Sequence, residues 1–231
     1  MQIARRVEPE WLDELPAEDP RARRSRRDLR RVNALMANAG IVARELRRAL
    51  PAGAHSIAEI GAGDGAFALR LAAALPRPAG GATITLLDRQ GTVEARTLEH
   101  LAARGWNARP VEADVFDWLA DPATPRFDAI VANLFLHHFE PVRLAELLAG
   151  VAARTQCFVA CEPRRSGTAL AGSRLLGLIG CNDVTRHDAV ASVRAGFRDA
   201  ELTSLWPSKP GWKIEERARG LFSHGFVAQS P

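Results

Sequence analysis

From residue 56 onward, short apolar runs alternate with segments whose apolar positions recur every three or four residues. The runs predict strands at Ser56–Ile60, Thr83–Leu87, Ala108–Ala113, Phe127–Phe135 and Gln156–Cys161. The intervening segments predict helices at Ala66–Leu75, Val93–Arg104 and Pro141–Val151, then helical stretches near 168–179 and 187–196. Two further pieces, Leu202–Trp206 and Leu221–Ala228, read as strands. This alternation is the signature of an α/β, doubly wound, mostly parallel sheet. Ahead of it, residues 21–50 read as helix. Leu29, Val32, Met36, Ala39, Val42, Leu46 and Leu50 form an apolar stripe, with a break near Asn38-Ala39-Gly40 and a stop at Pro51-Ala-Gly53. The chain therefore divides into a helical extension, residues 1–53, and an α/β domain, residues 54–231.

Composition narrows this picture. With 231 residues, 47% hydrophobic and 25% charged, the chain suits one α/β domain with an appendage. No apolar run approaches the ~18 residues of a membrane span. The opening MQIARRVEPEWLDELP is too charged for a secretory leader. Cys157, Cys161 and Cys181 form no CxxC pair, so neither a disulfide framework nor a zinc site is expected, and a reducing, cytoplasmic compartment is. Residues 1–50 hold 12 arginines against 8 acids, which is the whole net charge of +4. A basic helix of this density suits a polyanion, an acidic membrane surface, or a solvated face. Its apolar stripe favours a cover packed over a cleft, with the arginines in water.

In doubly wound sheets, ligands bind at the carboxyl ends of the strands, so the residues ending each strand carry the candidate chemistry. Strand one runs Ile57-Ala-Glu59-Ile60 into Gly61-Ala62-Gly63-Asp64-Gly65-Ala66. Glycines there allow a sharp turn and close approach of a ligand to backbone beside a helix N-terminus. The loop fits both a dinucleotide fingerprint and an S-adenosylmethionine loop. Strand two ends on Asp88-Arg89, where a carboxylate can take both ribose hydroxyls. Strand three ends on Glu112-Ala-Asp114-Val115, where an acid can accept from an adenine amino group; Asp114 can equally cap the following helix. Strand four ends on Asn133-Leu-Phe135-Leu-His137-His138-Phe139.

Taken in this order, the motifs resemble those of a class I S-adenosylmethionine-dependent methyltransferase, of the type related to quinone-biosynthesis and natural-product methylases. The resemblance covers about residues 55–228. It implies a Rossmann-like seven-stranded sheet whose last strand is antiparallel, with S-adenosyl-L-methionine as cofactor. By matching positions, Glu59, Gly61 and Gly63 would hold its methionine end, Asp88 its ribose, and Asp114 and Val115 its adenine, with Asn133 as the pocket floor; Ala62 and Arg89 are further cofactor-binding candidates. The turn before strand five departs from the usual Pro-Gly-Gly, reading Val151-Ala-Ala-Arg154-Thr155.

The acceptor is less legible. No Asn- or Asp-Pro-Pro-aromatic stretch follows strand four, no Pro-Cys dipeptide exists, and the acids do not cluster as a magnesium catechol site requires. A small aromatic, quinone- or polyketide-like metabolite, methylated on oxygen or carbon, is the expected acceptor, without a metal ion or a nucleic-acid partner. The oligomeric state is left open. His137 and His138 are the best-placed candidates for a base or orienting group, and His187, beside Asp188, is a third. His224 suits a sheet position, and His55 and His100 the surface. Phe135, Phe139, Trp206 and Trp212 are candidates for an aromatic wall. An RNA or protein methyltransferase holding its substrate on the basic helix is the alternative, and a non-catalytic adaptor the third reading.

Overall fold

The computed structural model describes residues 3–16, 18–50, 56–77, 80–208 and 210–230. Their strands are β1 (Ser56–Ile60), β2 (Ala82–Asp88), β3 (Trp106–Glu112), β4 (Ala129–Asn133), β5 (Cys157–Pro163), β6 (Lys213–Arg219) and β7 (Ser223–Gln229). The helices are α1 (Trp11–Glu14), α2 (Pro20–Leu35), α3 (Asn38–Ala49), α4 (Ala66–Ala74), α5 (Ala95–Ala102), α6 (Val115–Ala120), α7 (Pro141–Arg154), α8 (Gly167–Arg174), α9 (Asp183–Ala195) and α10 (Glu201–Leu205). None of the described helices is long and apolar enough to cross a membrane.

The seven strands lie in the order β3-β2-β1-β4-β5-β7-β6, and β7 alone runs against the rest. The central strands β4 and β5 are buried along their whole length, which is why they read as unbroken apolar runs. Helices α3, α4 and α5 pack Val42, Leu46, Leu71 and Leu101 on one face. Helices α6, α7 and α10 pack Leu119, Leu147, Val151 and Leu202 on the other. Cys157 and Cys161 share the first face. Burial pushes both thiols up to about 12, so neither is a nucleophile.

Two expectations are corrected. Leu202–Trp206 is helical, because a short apolar run does not by itself distinguish helix from strand. The Glu216 carboxylate, reaching across from β6, accepts from the Leu202 and Thr203 amides at 3.0 and 2.7 Å and so caps that helix. The strand missing from the sequence reading is β6, KIEERAR, a charged edge whose exposure hides its pairing. The long N-terminal helix breaks at Ala37, beside the expected Asn38-Ala39-Gly40. Ala37 adopts a left-handed conformation with φ of 55°, which costs roughly 1–3 kcal/mol. The turn brings Asn38 inward, where its Nδ2 donates to Asn133 Oδ1 at 2.9 Å and its Oδ1 accepts from Ser223 Oγ at 2.8 Å. Replacing Asn38 by Ala leaves both partners buried and unpaired, so we expect a loss of about 1–3 kcal/mol. In thermal unfolding that is a Tm lower by roughly 5 °C; an unchanged Tm contradicts the anchoring role. The stop at Pro51-Ala-Gly53 lies outside the described residues.

The stripe on the N-terminal helices also serves two different purposes. Val42 and Leu46 enter the core, whereas Leu29, Val32 and Met36 line a cleft at the carboxyl edge of the sheet. The buried side of α2 is instead Ala22, Ser25 and Asp28. Asp28 Oδ2 accepts from the Asn182 amide at 2.9 Å, and Ser25 pairs with Thr185, docking α2 on α9.

Candidate active site

The carboxyl ends of the strands line up: Ile60 lies beside Leu87 and Ala132, and Asn133 beside Cys161. Above them opens a cavity of about 920 Å³. Its floor contains Glu59, Gly61, Ala62, Gly63, Asp88, Arg89, Asp114, Val115 and Asn133, so all nine residues expected to hold a cofactor face one cleft.

The glycine loop is held by that neighbourhood. The Ala62 amide donates to Leu87 O at 3.0 Å, and the Gly63 amide to Asp88 Oδ2 at 2.8 Å. Gly61 has φ of 71°, and a Cβ there would enter the ring of Phe135. Only glycine lets loop and ring approach so closely. Asp88 Oδ1 accepts from the Gln90 amide at 2.9 Å, which fixes the carboxylate at the strand end. Asp114 does cap α6, accepting from the Phe116 amide at 2.8 Å, while remaining exposed at the cleft. Glu59 is fully buried, and its Oε2 has no hydrogen-bond partner. Burial, reinforced by Asp64 and Asp88, pushes its carboxyl well above the usual range. A cation entering the cleft would relieve both deficits.

At the other end, β4 leads through Leu134, another left-handed residue with φ of 54°, into a 3₁₀ turn at Leu136–His138. Glu162, wholly buried at the end of β5, organises this turn. Its Oε1 accepts from the Phe135 and Leu136 amides at 3.0 and 3.1 Å, and its Oε2 meets His137 Nδ1 at 2.8 Å. Glu162 is not among the residues the sequence singles out, because the apolar run of strand five stops at Cys161, one residue short of it. The signal was available as an acid at a strand end.

The N-terminal segment adds two residues that sequence spacing hides. Arg5 donates to the carbonyls of Ala195 and Phe139, both at 2.8 Å, and Arg6 pairs with the backbone of Arg194. Asp188 accepts from the amides of Trp11 and Leu12. Strapped down in this way, the segment carries Glu10 and Asp13 into the cleft. Glu10 Oε1 lies 3.5 Å from His137 Nε2, and Asp13 Oδ2 lies 3.9 Å from His138 Nδ1. Burial lowers the pKa of His137, but the carboxylates of Glu10 and Glu162 outweigh it and push the imidazole up to about 9. Glu10, despite its burial, is held at about 2, chiefly by the two histidines. His138 is lowered by burial and by the charge on His137.

Other candidates fall elsewhere. His187 does not line the cleft: it stacks on Trp11 with ring centroids 3.9 Å apart and pairs with Asp188 at 2.9 Å. His224 is buried in β7 against Glu216, at 2.8 Å, and His100 is exposed. His55 lies outside the described residues. Phe135 and Phe139 do form a wall of the cleft, ring edge to face at 5.1 Å. Trp206 and Trp212 do not; they pack edge to face in the core beneath Phe158.

Residues 57–156 match the family model of a methyltransferase domain. That segment is therefore a methyltransferase domain. The chain is 34% identical over 98 residues to an uncharacterized methyltransferase of Mycobacterium tuberculosis, a match spanning 42% of this chain and 44% of that protein. Less than half of the relative's length is thus represented. Among solved structures, the plantazolicin methyltransferase BpumL in complex with SAH superposes with a TM-score of 0.64 at 14% identity, covering 93% of this chain and 92% of that one. The pyocyanin biosynthetic protein PhzM gives 0.61 at 20% identity, covering 96% and 62%. Magnesium protoporphyrin IX methyltransferase from Synechocystis, also with bound SAH, gives 0.55 at 11% identity, covering 95% and 91%. At these identities the likeness establishes the methyltransferase fold alone.

Proposed function

We propose that this methyltransferase transfers the methyl group of S-adenosylmethionine to an oxygen or carbon of a small aromatic, quinone- or polyketide-like acceptor. The observation that carries this reading is the single cleft joining the Glu59–Gly63 loop and Asp88 to the His137–His138 turn. The residues fit the cofactor. The orphaned Glu59 carboxylate suits an ammonium group, Asp88 a ribose diol, and the aromatic faces of Phe135 and Phe139 a sulfonium. When bound, the cofactor supplies an electrophilic methyl carbon on a positively charged sulfur.

For a phenolic acceptor, the cofactor would supply the methyl group of the new O–CH₃ bond and keep the S–CH₃ bonding pair as a thioether. The acceptor's hydroxyl proton would go to the His137–His138 turn, which lines the same cleft. The chain's main contribution is alignment, which can supply roughly 7–11 kcal/mol. Handling the proton adds about 10²–10⁴-fold. Loop and turn stand on adjacent strands β1 and β4, so the two reactants share one rigid edge. Helix α2 roofs this edge: Arg30 Nε lies 3.6 Å from Asp64 Oδ2, and Arg70 donates to Arg30 O at 2.7 Å. We read residues 1–53 as a cover over the α/β domain.

A polyanion reading of the basic helix has less support. Arg30 and Arg31 face Asp64 and Asp28, Arg21 faces Asp19, and Arg24 donates to Gly180 O. The test is incubation with methyl-labelled cofactor and a panel of phenols, hydroquinones, bulk RNA and protein. Label should enter the small aromatics, and label confined to RNA or protein would overturn the acceptor class. Replacing His138 by Ala should lower kcat by about 10²–10⁴-fold while leaving S-adenosylhomocysteine affinity unchanged. An unaltered kcat removes the turn from the chemistry.

A further inference from the structure

We propose that Glu10, His137 and His138 form a binding site for a divalent transition-metal ion at the acceptor end of the cleft. One carboxylate oxygen of Glu10 and one nitrogen of each imidazole lie within 4.8 Å of one another. Glu10 Oε1 and His137 Nε2 are 3.5 Å apart. That is long for a hydrogen bond, and Nε2 is buried with no hydrogen-bond partner. Two ligands on a tetrahedral ion at about 2.1 Å are about 3.4 Å apart, which matches this separation.

The second nitrogen of His137 strengthens the assignment. Its Nδ1 sits 2.8 Å from Glu162 Oε2, while the same carboxylate is fixed by three backbone amides. A histidine backed by a carboxylate, with its far nitrogen aimed at a second anionic group, is how proteins orient metal-binding imidazoles. Charge agrees as well. Glu10 and Glu162 are two buried or nearly buried carboxylates facing one imidazole, and a dication in place of the Nε2 proton balances both. Two imidazoles with one carboxylate and no thiolate suit zinc, manganese, iron, cobalt or nickel better than calcium or magnesium.

Three protein ligands leave a coordination position open, the pattern of catalytic rather than structural sites. All three residues line the cleft, and Asp13 stands beside His138 at 3.9 Å. The open position therefore faces the acceptor, whose hydroxyl or carbonyl oxygen can complete the coordination. This last step rests on the methyl-transfer reading; binding of the ion does not.

The experiment uses the full chain, stripped with chelator and titrated with Zn²⁺ by calorimetry and with Co²⁺ by visible absorption. Wild type should take up about one equivalent. Glu10→Gln should bind at least ~10–100-fold more weakly, as outer partners alone contribute that much. His138→Ala should lose the cobalt bands of a low-symmetry site. S-adenosylhomocysteine binding, measured on each variant, reports whether the fold and the cofactor end are intact. Failure of wild type to bind the ion, or equal binding by wild type and Glu10→Gln, overturns the metal site. Loss of S-adenosylhomocysteine binding by wild type would instead count against the methyl-transfer reading.

Discussion

Glu162→Ala is expected to lower the stability of this protein by about 3–5 kcal/mol, among the largest effects of any single substitution here. The carboxylate is wholly buried and serves the Phe135 and Leu136 amides and the His137 ring together. Removing it strands four donors, the Phe135, Leu136 and His137 amides and the His137 ring, where water does not reach, and releases a turn already strained at Leu134. For a domain of this size the corresponding fall in Tm is roughly 10 °C. Differential scanning calorimetry measures it directly. A Tm within two degrees of wild type would show that the turn holds itself. Methyl transfer should fall further than the folded fraction does, since the turn positions His137 and His138.

Gly61→Ala should cost about 2–5 kcal/mol and most of the cofactor affinity. Left-handed backbone at a residue with a Cβ costs roughly 1–2 kcal/mol, and overpacking typically adds 1–3. The added methyl has no free space, because the Phe135 ring already fills it. The two contributions are separable. In Gly61→Ala/Phe135→Ala the clash disappears while the backbone strain stays, so the double variant should be more stable than additivity predicts. Strict additivity in urea unfolding would mean that loop and ring do not touch in solution.

How much of this was legible beforehand follows from distance along the chain. The glycine loop, Asp88, Asp114 and the His137–His138 turn are all strand-end features, and short sequence windows display them with their order. The parallel strands were legible because burial on both faces leaves them almost purely apolar. Glu10 and Asp13 were not, since nothing local links them to histidines more than a hundred residues later. Contacts of Arg5, Arg6 and Asp188, with the Trp11–His187 stack and Arg165 on Ile3 O, bring them there. Strand β6 was hidden by its charges, and α10 because its cap, Glu216, comes from a later strand. The stripe on α2 was visible, but which of its faces met the core was not. There polar Ser25 and Asp28 took the buried side and the apolar residues took the cleft.

The central claim is that the cleft between the Gly61–Gly63 loop and Asp88 is the S-adenosylmethionine site. Calorimetric titration of S-adenosylhomocysteine into wild type and Asp88→Ala tests it most directly. Wild type should bind about one equivalent. The variant should lose about 3 kcal/mol, or ~100-fold in Kd, the worth of two hydrogen bonds to a charged acceptor. Equal affinity in the two proteins, or no binding by wild type, would contradict the account.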